Sequence, residues 1–388
     1  MGTNSKHILY CIPQLYNSGG MERVLCQKIN YLAQHTDYEL HIATTELTPR
    51  GMKVSHFPLD TNIRIHGLDI DFDADFSKPL PVKWLQHQRK MKRYKAALTR
   101  LIEEQHIDVC ISMCGKEIAF LDELPCKTIA EMHFSKNQRL YLIEAFHHEK
   151  IWHWLGKIRV QQLVHNVRRL PYFVVLTAAD KREWEAAGCT HVECIPNPCV
   201  LDGVALPQKQ DTKQVIAVGR LHPQKGFERL IDAWQTVARY YPDWSLHIIG
   251  EGAERAALQR QIDSLHLESL VCLDGRCDDM ASVYRRTDIL AMSSHYEGLP
   301  LVLIEAMWCG VPCVAFDCPH GPAELLSDGR GVVVPDGDVQ LLAEKIIDLI
   351  RHPDKRRTLG MAAQQYAQTH FSEQVIMEQW INLIKTCE

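Results

Sequence analysis

The chain has 388 residues, 46% hydrophobic and 23% charged, the balance of a globular protein rather than a disordered or fibrous one. That length exceeds one ordinary core and leads to an expectation of two domains of roughly 150–200 residues each. The formal charge is −5 and uneven, +3 over residues 1–200 and −8 over residues 201–388; with only short basic segments and no recognised module, this argues against a nucleic-acid binder.

The start, Met1 to Pro13, lacks the long apolar stretch of a signal peptide, so a cytoplasmic protein is expected. His7–Ile12 reads as a buried strand that runs into Pro13-Gln-Leu-Tyr-Asn-Ser-Gly-Gly-Met-Glu-Arg23, followed by a helical pattern to about Gln34. Glycines between a first strand and a helix let backbone approach a phosphate. A lone Gly19-Gly20 is equally an ordinary turn, and it is not the G-x-G-x-x-G dinucleotide fingerprint. Glu39–Thr45 is the next strand. The alternating string from Asp69 to Asp75 lacks the Gly and the distal Glu of a calcium loop and reads as a solvated loop.

Lys83 to Glu104 sets Lys83, Arg89, Lys90, Lys92, Arg93, Lys95 and Arg100 among Trp84, Leu85, Met91, Tyr94, Leu98 and Leu101. That is a basic helix with an apolar stripe. Lys150 to Arg169 repeats the pattern, with Trp152 and Trp154 beside Lys157, Arg159, Arg168 and Arg169. Each segment is either a surface helix packed on its sheet or a contact for an anionic membrane surface. No run of about 18 apolar residues marks a spanning helix. Asp108–Met113 and Thr128–Met132 read as buried strands, the second ending in Glu131-Met-His133-Phe-Ser135. A His just past a strand's C-terminal edge is where doubly wound sheets place ligand sites, although a single His is as readily structural. Tyr172–Thr177 and Val192–Ile195 are further strands, and Pro196-Asn-Pro198 is a strong stop. Leu201 to Thr212 is polar and unpatterned, an interdomain linker.

Strand Gln214–Val218 leads into Gly219-Arg-Leu-His-Pro-Gln-Lys225-Gly226-Phe and a helix to about Tyr240. Arg220 and Lys225 thus share a strand-to-helix loop, where two cations can meet a diphosphate or serve as plain surface charge. Trp244–Gly250 and Leu270–Gly275 alternate with helices, as a parallel sheet requires. After strand Asp288–Met292 comes S-S-H-Y-E-G-L-P-L-V-L-I-E-A-M-W-C-G, from Ser293 to Gly310. Glu297 falls in a loop, Pro300 suits the first position of a helix, and Gly310 with Pro312 ends it. Glu305 then lies roughly 7.5 Å along the axis from Pro300, at ~1.5 Å per residue. One carboxylate is at the mouth of a helix whose free N–H groups attract phosphate, and a second lies deeper. The segment is apolar almost all round, so the helix is expected to be buried and its carboxylate to need partners. Ser372 to Lys385 reads as a final amphipathic helix.

The 14 Cys include no C-x-x-C, and Cys11, Cys110, Cys272 and Cys313 sit in strand-like runs, which favours buried free thiols in a reducing compartment. Cys189, Cys194 and Cys199 do not have the spacing of common zinc knuckles.

Several of these strings together resemble retaining glycosyltransferases of family 4, of the GT-B fold and the bacterial surface-polysaccharide type. Glu297 to Glu305 resembles the E-x7-E element, Gly219 to Gly226 the family's pyrophosphate-binding G-R-L-x-x-x-K-G, and Ser18-Gly-Gly-Met-Glu-Arg23 its phosphate-closing N-terminal loop. Glu131-Met-His-Phe-Ser135 resembles the motif whose His approaches the donor sugar. The resemblance implies two doubly wound Rossmann-like α/β domains facing each other across a cleft: residues 1–198, a linker at 199–212, a nucleotide-sugar domain at 213–370, and a helix at 371–388 that crosses back. It implies catalytic roles for Glu297, His133, Arg220 and Lys225, and donor contacts from Gly19, Gly20, Glu22, Arg220, Lys225, Gly298, Leu299 and Glu305. Glu297 would touch the sugar hydroxyls and Glu305 the ribose. The expected donor is a nucleotide sugar, UDP favoured over GDP, and the acceptor a glycan or lipid-linked hydroxyl. The expected chemistry is retaining, with no cofactor and no metal, since two cations neutralise the diphosphate. A D-x-D metal reading of Asp69–Asp75 belongs to the other glycosyltransferase fold. The expected location is cytoplasmic and peripheral on the inner leaflet through Lys83–Arg100 and Lys150–Arg169. The alternatives are a sugar-nucleotide epimerase or a non-catalytic binding protein of the same fold; epimerases lack the combination of E-x7-E with R…K.

Overall fold

The computed structural model describes residues 5–46, 48–49, 51–72, 80–137, 140, 150–201 and 212–387. The described chain divides into two units. The first takes residues up to 140, 150–195 and 377–387, and the second 196–376. Most of the expected linker, 202–211, and residues 73–75 of the acidic string lie outside the described residues.

In the first unit, among the described residues, seven parallel strands form one sheet in the order β3-β2-β1-β4-β5-β6-β7. These are β1 (His7–Ile12), β2 (Glu39–Thr44), β3 (Arg64–Gly67), β4 (Val109–Ser112), β5 (Lys127–Met132), β6 (Tyr172–Val175) and β7 (Val192–Cys194). The inner strands are near-continuous apolar runs such as Ile8-Leu9-Tyr10-Cys11-Ile12, all buried, because helices cover both faces of a parallel sheet. Helices Leu80–Glu104 and Lys150–Val167 contribute Tyr94, Leu98, Ile102, Val164 and Val167 to the core around Leu9, Cys110 and Phe173. From Met377 on, the last helix, Glu373–Thr386, belongs to this unit, and Tyr172 Oη donates to the Thr386 carbonyl at 3.1 Å.

Among the described residues the second unit repeats the plan with six parallel strands in the order β10-β9-β8-β11-β12-β13. They are β8 (Gln214–Val218), β9 (Ser245–Ile249), β10 (Val271–Gly275), β11 (Ile289–Met292), β12 (Cys313–Asp317) and β13 (Val332–Pro335). One face is covered by Leu230, Trp234, Leu258, Leu342, Ile346 and Leu349 from three helices. The other is covered by Tyr284, Leu303, Ile304, Met307 and Ala363. In both units the chain leaves the first strand toward one edge and returns to the other side of it, so β1/β4 and β8/β11 flank a topological switch point. The C-terminal ends of those strands are where such sheets bind ligands.

Sequence expectation and structure differ at the edges. Edge strand β3 has an exposed pattern without an apolar run, and edge strand β13 is four residues ending in Pro335. Pro300, expected as the first helical residue, is the cap: its ψ of 96° is extended, and the helix is Leu301–Trp308. Gly310 at φ 69° ends it as expected.

On one face of the first sheet, His7, His41 and His66 stack on adjacent strands, with His41 Nδ1 3.1 Å from His66 Nε2. The ligand atoms of His7, Glu39 and His41 converge as if to hold a metal, but Arg64, 3.2 Å from Glu39, sets a fixed positive charge against them. Burial first, then the His66, Arg64 and His7 charges, pull His41 down to about 4, with Glu39 opposing. Between the ordinary value of 6.5 and 4 the unfolded chain takes a proton there that the folded chain refuses. The stability from neutral His41 is therefore complete above pH 6.5 and lost as pH falls toward 4. Between pH 7 and 5 the parent is expected to lose about 1 kcal/mol more than His41→Gln, after allowing for solvent screening. Urea unfolding at both pH values checks it, and equal losses contradict it.

Candidate functional site

In the second unit, two loops leave the switch point side by side. The first follows β8 and forms a short turn at Pro223–Lys225 before helix Phe227–Tyr240. The second joins β11 to helix Leu301–Trp308. They are laced together: His295 N donates to the Gln224 carbonyl at 2.8 Å, Gln224 Nε2 to the Tyr296 carbonyl at 3.1 Å, and Ser293 Oγ to the Lys225 carbonyl at 3.1 Å. Gly226 sits between them at φ 57°, and a Cβ there would clash with the Ser293 carbonyl oxygen. No side chain fits that position. Arg229, the next turn on, donates to the same carbonyl and pairs with Asp336 at 2.8 Å.

This lacing fixes the central contact. Lys225 Nζ lies 2.7 Å from Glu297 Oε1, with the side chains 17% and 7% exposed. A third loop supports the carboxylate's backbone, since Glu297 N donates to the Pro319 carbonyl at 3.1 Å. That loop contains His320 at φ 65°, a conformation uncommon for a residue with a side chain. Arg220 lies exposed on the first loop and makes no hydrogen bond or ion pair among the described residues. Its charge acts on Tyr296 and His222. The second unit thus holds two cations and a carboxylate at the β8/β11 switch point, with Gly298 and Leu299 between Glu297 and a helix that no side chain caps.

Glu305 is buried within that helix, and Tyr284 Oη donates to its Oε2 at 2.7 Å. Tyr284 comes from helix Met280–Arg285. Burial first, then the Glu305 charge, push the nearby Cys309 thiol up to about 12, with the Arg285 charge opposing. Sequence reasoning called for partners to this carboxylate without identifying Tyr284.

The remaining sequence candidates lie in the first unit. Gly19 caps helix Gly20–His35. Glu22, at the third helical position, folds back over Gly19, where a Cβ would clash with its carboxylate. Gln14 Nε2 donates to Glu22 Oε1 at 2.5 Å. The Glu22 carboxylate thus lies over the first turn of the helix, beside the backbone N–H groups of its N-terminus. His133 is buried just past β5, with its Nε2 3.2 Å from Glu131 Oε1. The same helix ties the two places together, because Lys28, two turns after Gly20, pairs with Glu131 at 2.6 Å.

The basic segments are less free than their sequence implies. Arg169 pairs with Asp122 at 3.0 Å, Arg100 with Glu104 at 2.7 Å, and Lys95 with Glu123. Arg168 is bonded to the Ala187 carbonyl and Lys90 to that of Asp71. The side chains of Lys83, Lys150 and Trp152 lie outside the described residues. Arg89, Lys92, Arg93, Lys157 and Arg159 are exposed, as are Trp84 at 65% and Trp154 at 61%. Among the described residues no helix is long and apolar enough to cross a membrane.

Residues 204–366 match the family described as "Glycosyl transferases group 1". An uncharacterized glycosyltransferase of Haemophilus influenzae is 27% identical over 385 residues, 98% of this chain and all of that protein. The amylovoran biosynthesis glycosyltransferase AmsD of Erwinia amylovora is 37% identical over 171 residues, 44% of this chain and 48% of its own length. Among solved structures, a Staphylococcus aureus TarM mutant in complex with Fondaparinux, alpha-GlcNAc-glycerol and UDP superposes with a TM-score of 0.77 at 15% identity, covering 98% of this chain and 99% of that one. The fold is GT-B: two parallel-sheet α/β domains.

The buried Tyr284–Glu305 bond makes a direct prediction. Tyr284→Phe removes the 2.7 Å hydrogen bond to Glu305 and is expected to cost about 1 kcal/mol or more. Urea unfolding measures it; an unchanged midpoint would mean the bond contributes nothing.

Proposed function

We propose that this chain, a GT-B glycosyltransferase in fold, is a retaining, metal-independent enzyme that moves a sugar from a UDP-sugar to a glycan or glycolipid hydroxyl in surface polysaccharide synthesis. The observation that carries the reading is the 2.7 Å Lys225–Glu297 pair at the β8/β11 switch point, with Arg220 exposed on the same loop. Breaking the bond between sugar and diphosphate leaves negative charge on the phosphate oxygens. Lys225 and Arg220 are cations placed to stabilise it, joined by backbone N–H groups near Leu299. Two fixed charges do for the diphosphate what a divalent ion does elsewhere. Glu297 keeps Lys225 from swinging into solvent and is itself left one oxygen, Oε2, for a sugar hydroxyl. Glu305 holds the ribose from within its helix, its orientation set by Tyr284. In this reading the leaving phosphate, still on the acceptor's side of the sugar, takes the acceptor proton, so no separate nucleophile is required.

Support for the nucleotide comes from TarM, whose complex contains UDP. Support for the acceptor class comes from AmsD, by name an amylovoran biosynthesis glycosyltransferase. Arg220→Ala and Lys225→Ala are each expected to lower turnover at least about 100-fold, as for loss of one preorganised charge-stabilising donor. The assay is release of UDP from a panel of UDP-sugars with and without glycan acceptors. Near-normal rates in folded variants would put the diphosphate elsewhere. Binding with no release under any acceptor would make the protein a non-transferring relative.

The reading includes a membrane-bound acceptor. Exposed Trp84 and Trp154 with Arg89, Lys92, Arg93, Lys157 and Arg159 form basic-aromatic surfaces on the first unit, and each cation near an anionic surface contributes about 1 kcal/mol. Co-sedimentation with anionic vesicles is expected at low salt, with loss of most binding on raising salt. Equal binding to neutral vesicles, or none, contradicts it.

A further inference from the structure

The first unit contains a charged group that the donor chemistry does not use. Lys28 and Glu131 are completely buried. Lys28 Nζ donates to both Glu131 oxygens, at 2.7 and 2.6 Å. On its other contacts Lys28 Nζ stands 3.5 Å from the ring centroid of Trp380 and 5.8 Å from that of Tyr10. Glu131 Oε1 then lies 3.2 Å from Nε2 of His133, whose side chain is 4% exposed, a charge contact whose angle falls short of a hydrogen bond. Four elements meet here: helix Gly20–His35, strands β1 and β5, and helix Glu373–Thr386.

Such a pair is expensive as a packing device. Two apolar side chains of similar volume fill the same space at equal or better stability, whereas removing one charge leaves the other buried and uncompensated. The pair therefore calls for a role that only charge performs. Burial pushes the Glu131 carboxyl up, but the Lys28 charge, then that of His133, outweigh it and hold Glu131 below the usual carboxylate range, while burial pulls Lys28 below its usual range against the Glu131 charge. A negative charge 3.2 Å from one imidazole nitrogen favours the ring proton on that nitrogen, and a small turn of the ring brings it into line for a hydrogen bond.

We propose that Lys28 and Glu131 are positioning residues for His133: Glu131 holds the proton on Nε2 and turns Nδ1 away from itself, Lys28 fixes Glu131, and the face of Trp380 seats Lys28. The C-terminal helix is thereby part of the mount of a site residue. This rests on the reading that His133 approaches the donor sugar; the mount itself does not.

Two measurements test it. In the full-length parent, 15N-histidine NMR is expected to find the proton of His133 on Nε2 in every protonation state. A bare Nε2 with the proton on Nδ1 overturns the proposal and needs no activity. Second, Lys28→Met and Glu131→Leu are each expected to lower Tm by roughly 5–15 °C, while the double variant recovers most of the loss. Turnover in the double variant is expected to stay down roughly 10- to 100-fold with KM for the donor little changed, the mark of a misplaced group rather than a damaged fold. Recovery of kcat together with Tm means the pair is structural only and overturns the proposal. If the double variant does not fold, the tautomer decides. If the parent transfers no sugar, the enzymatic reading fails while the tautomer still answers for the mount.

Discussion

A parallel sheet covered by helices on both faces has little surface on which to place chemistry. Its strands are buried on both sides, so only the loops at the strand ends are free to carry polar groups. In the second unit that constraint concentrates a lysine, an arginine and a glutamate into the loops after β8 and β11, and the Lys225–Glu297 pair ties the loops into one rigid element. Gly226 is what lets them approach, and the Pro319 carbonyl holds Glu297 from the other side. Orientation is thus set before any ligand arrives, which is the condition for stabilising charge that develops only during reaction.

Each buried carboxylate in the account has its own solution. Glu305 takes a neutral donor, Tyr284, and raises the thiol of Cys309 in return. Glu117, after β4, takes Ser112 Oγ at 2.6 Å, Gly115 N at 3.1 Å and Tyr94 Oη at 3.0 Å. Burial pushes its carboxyl up, with those hydrogen bonds opposing. Glu131, completely buried, takes a lysine, as Glu297 takes Lys225 in the second unit. The difference matters because hydrogen bonds merely satisfy a carboxylate, whereas Lys28 keeps Glu131 ionised beside an imidazole.

Strands β1, β4, β5, β8 and β11 were legible because a doubly covered sheet demands unbroken apolar runs, and the Gly- and Pro-marked loops placed Arg220, Lys225, Glu297 and Glu305. The contacts among them were not legible. Lys225 and Glu297 are 72 residues apart, and Lys28 and Glu131 are 103 apart; pairing over such distances is set by strand order, which no local pattern encodes. Lys28 in particular has the look of a solvent-facing helix residue until β5 and Trp380 are brought against it. Glu22 was legible as a residue near a phosphate-approach loop, but its fold back over Gly19 depends on Gln14. The basic segments misled in part, because Asp122, Glu123 and Glu104 neutralise cations that composition alone leaves free.

The central claim is that a sugar leaves a diphosphate and is captured on the same face. The most direct measurement is proton NMR of the first product formed from a UDP-α-sugar that the protein turns over, read at the anomeric proton before any mutarotation or further reaction. An α-linked product is predicted. A β-linked product would contradict the account, since it requires attack from the opposite face and a base that none of Arg220, Lys225 and Glu297 has been assigned to be.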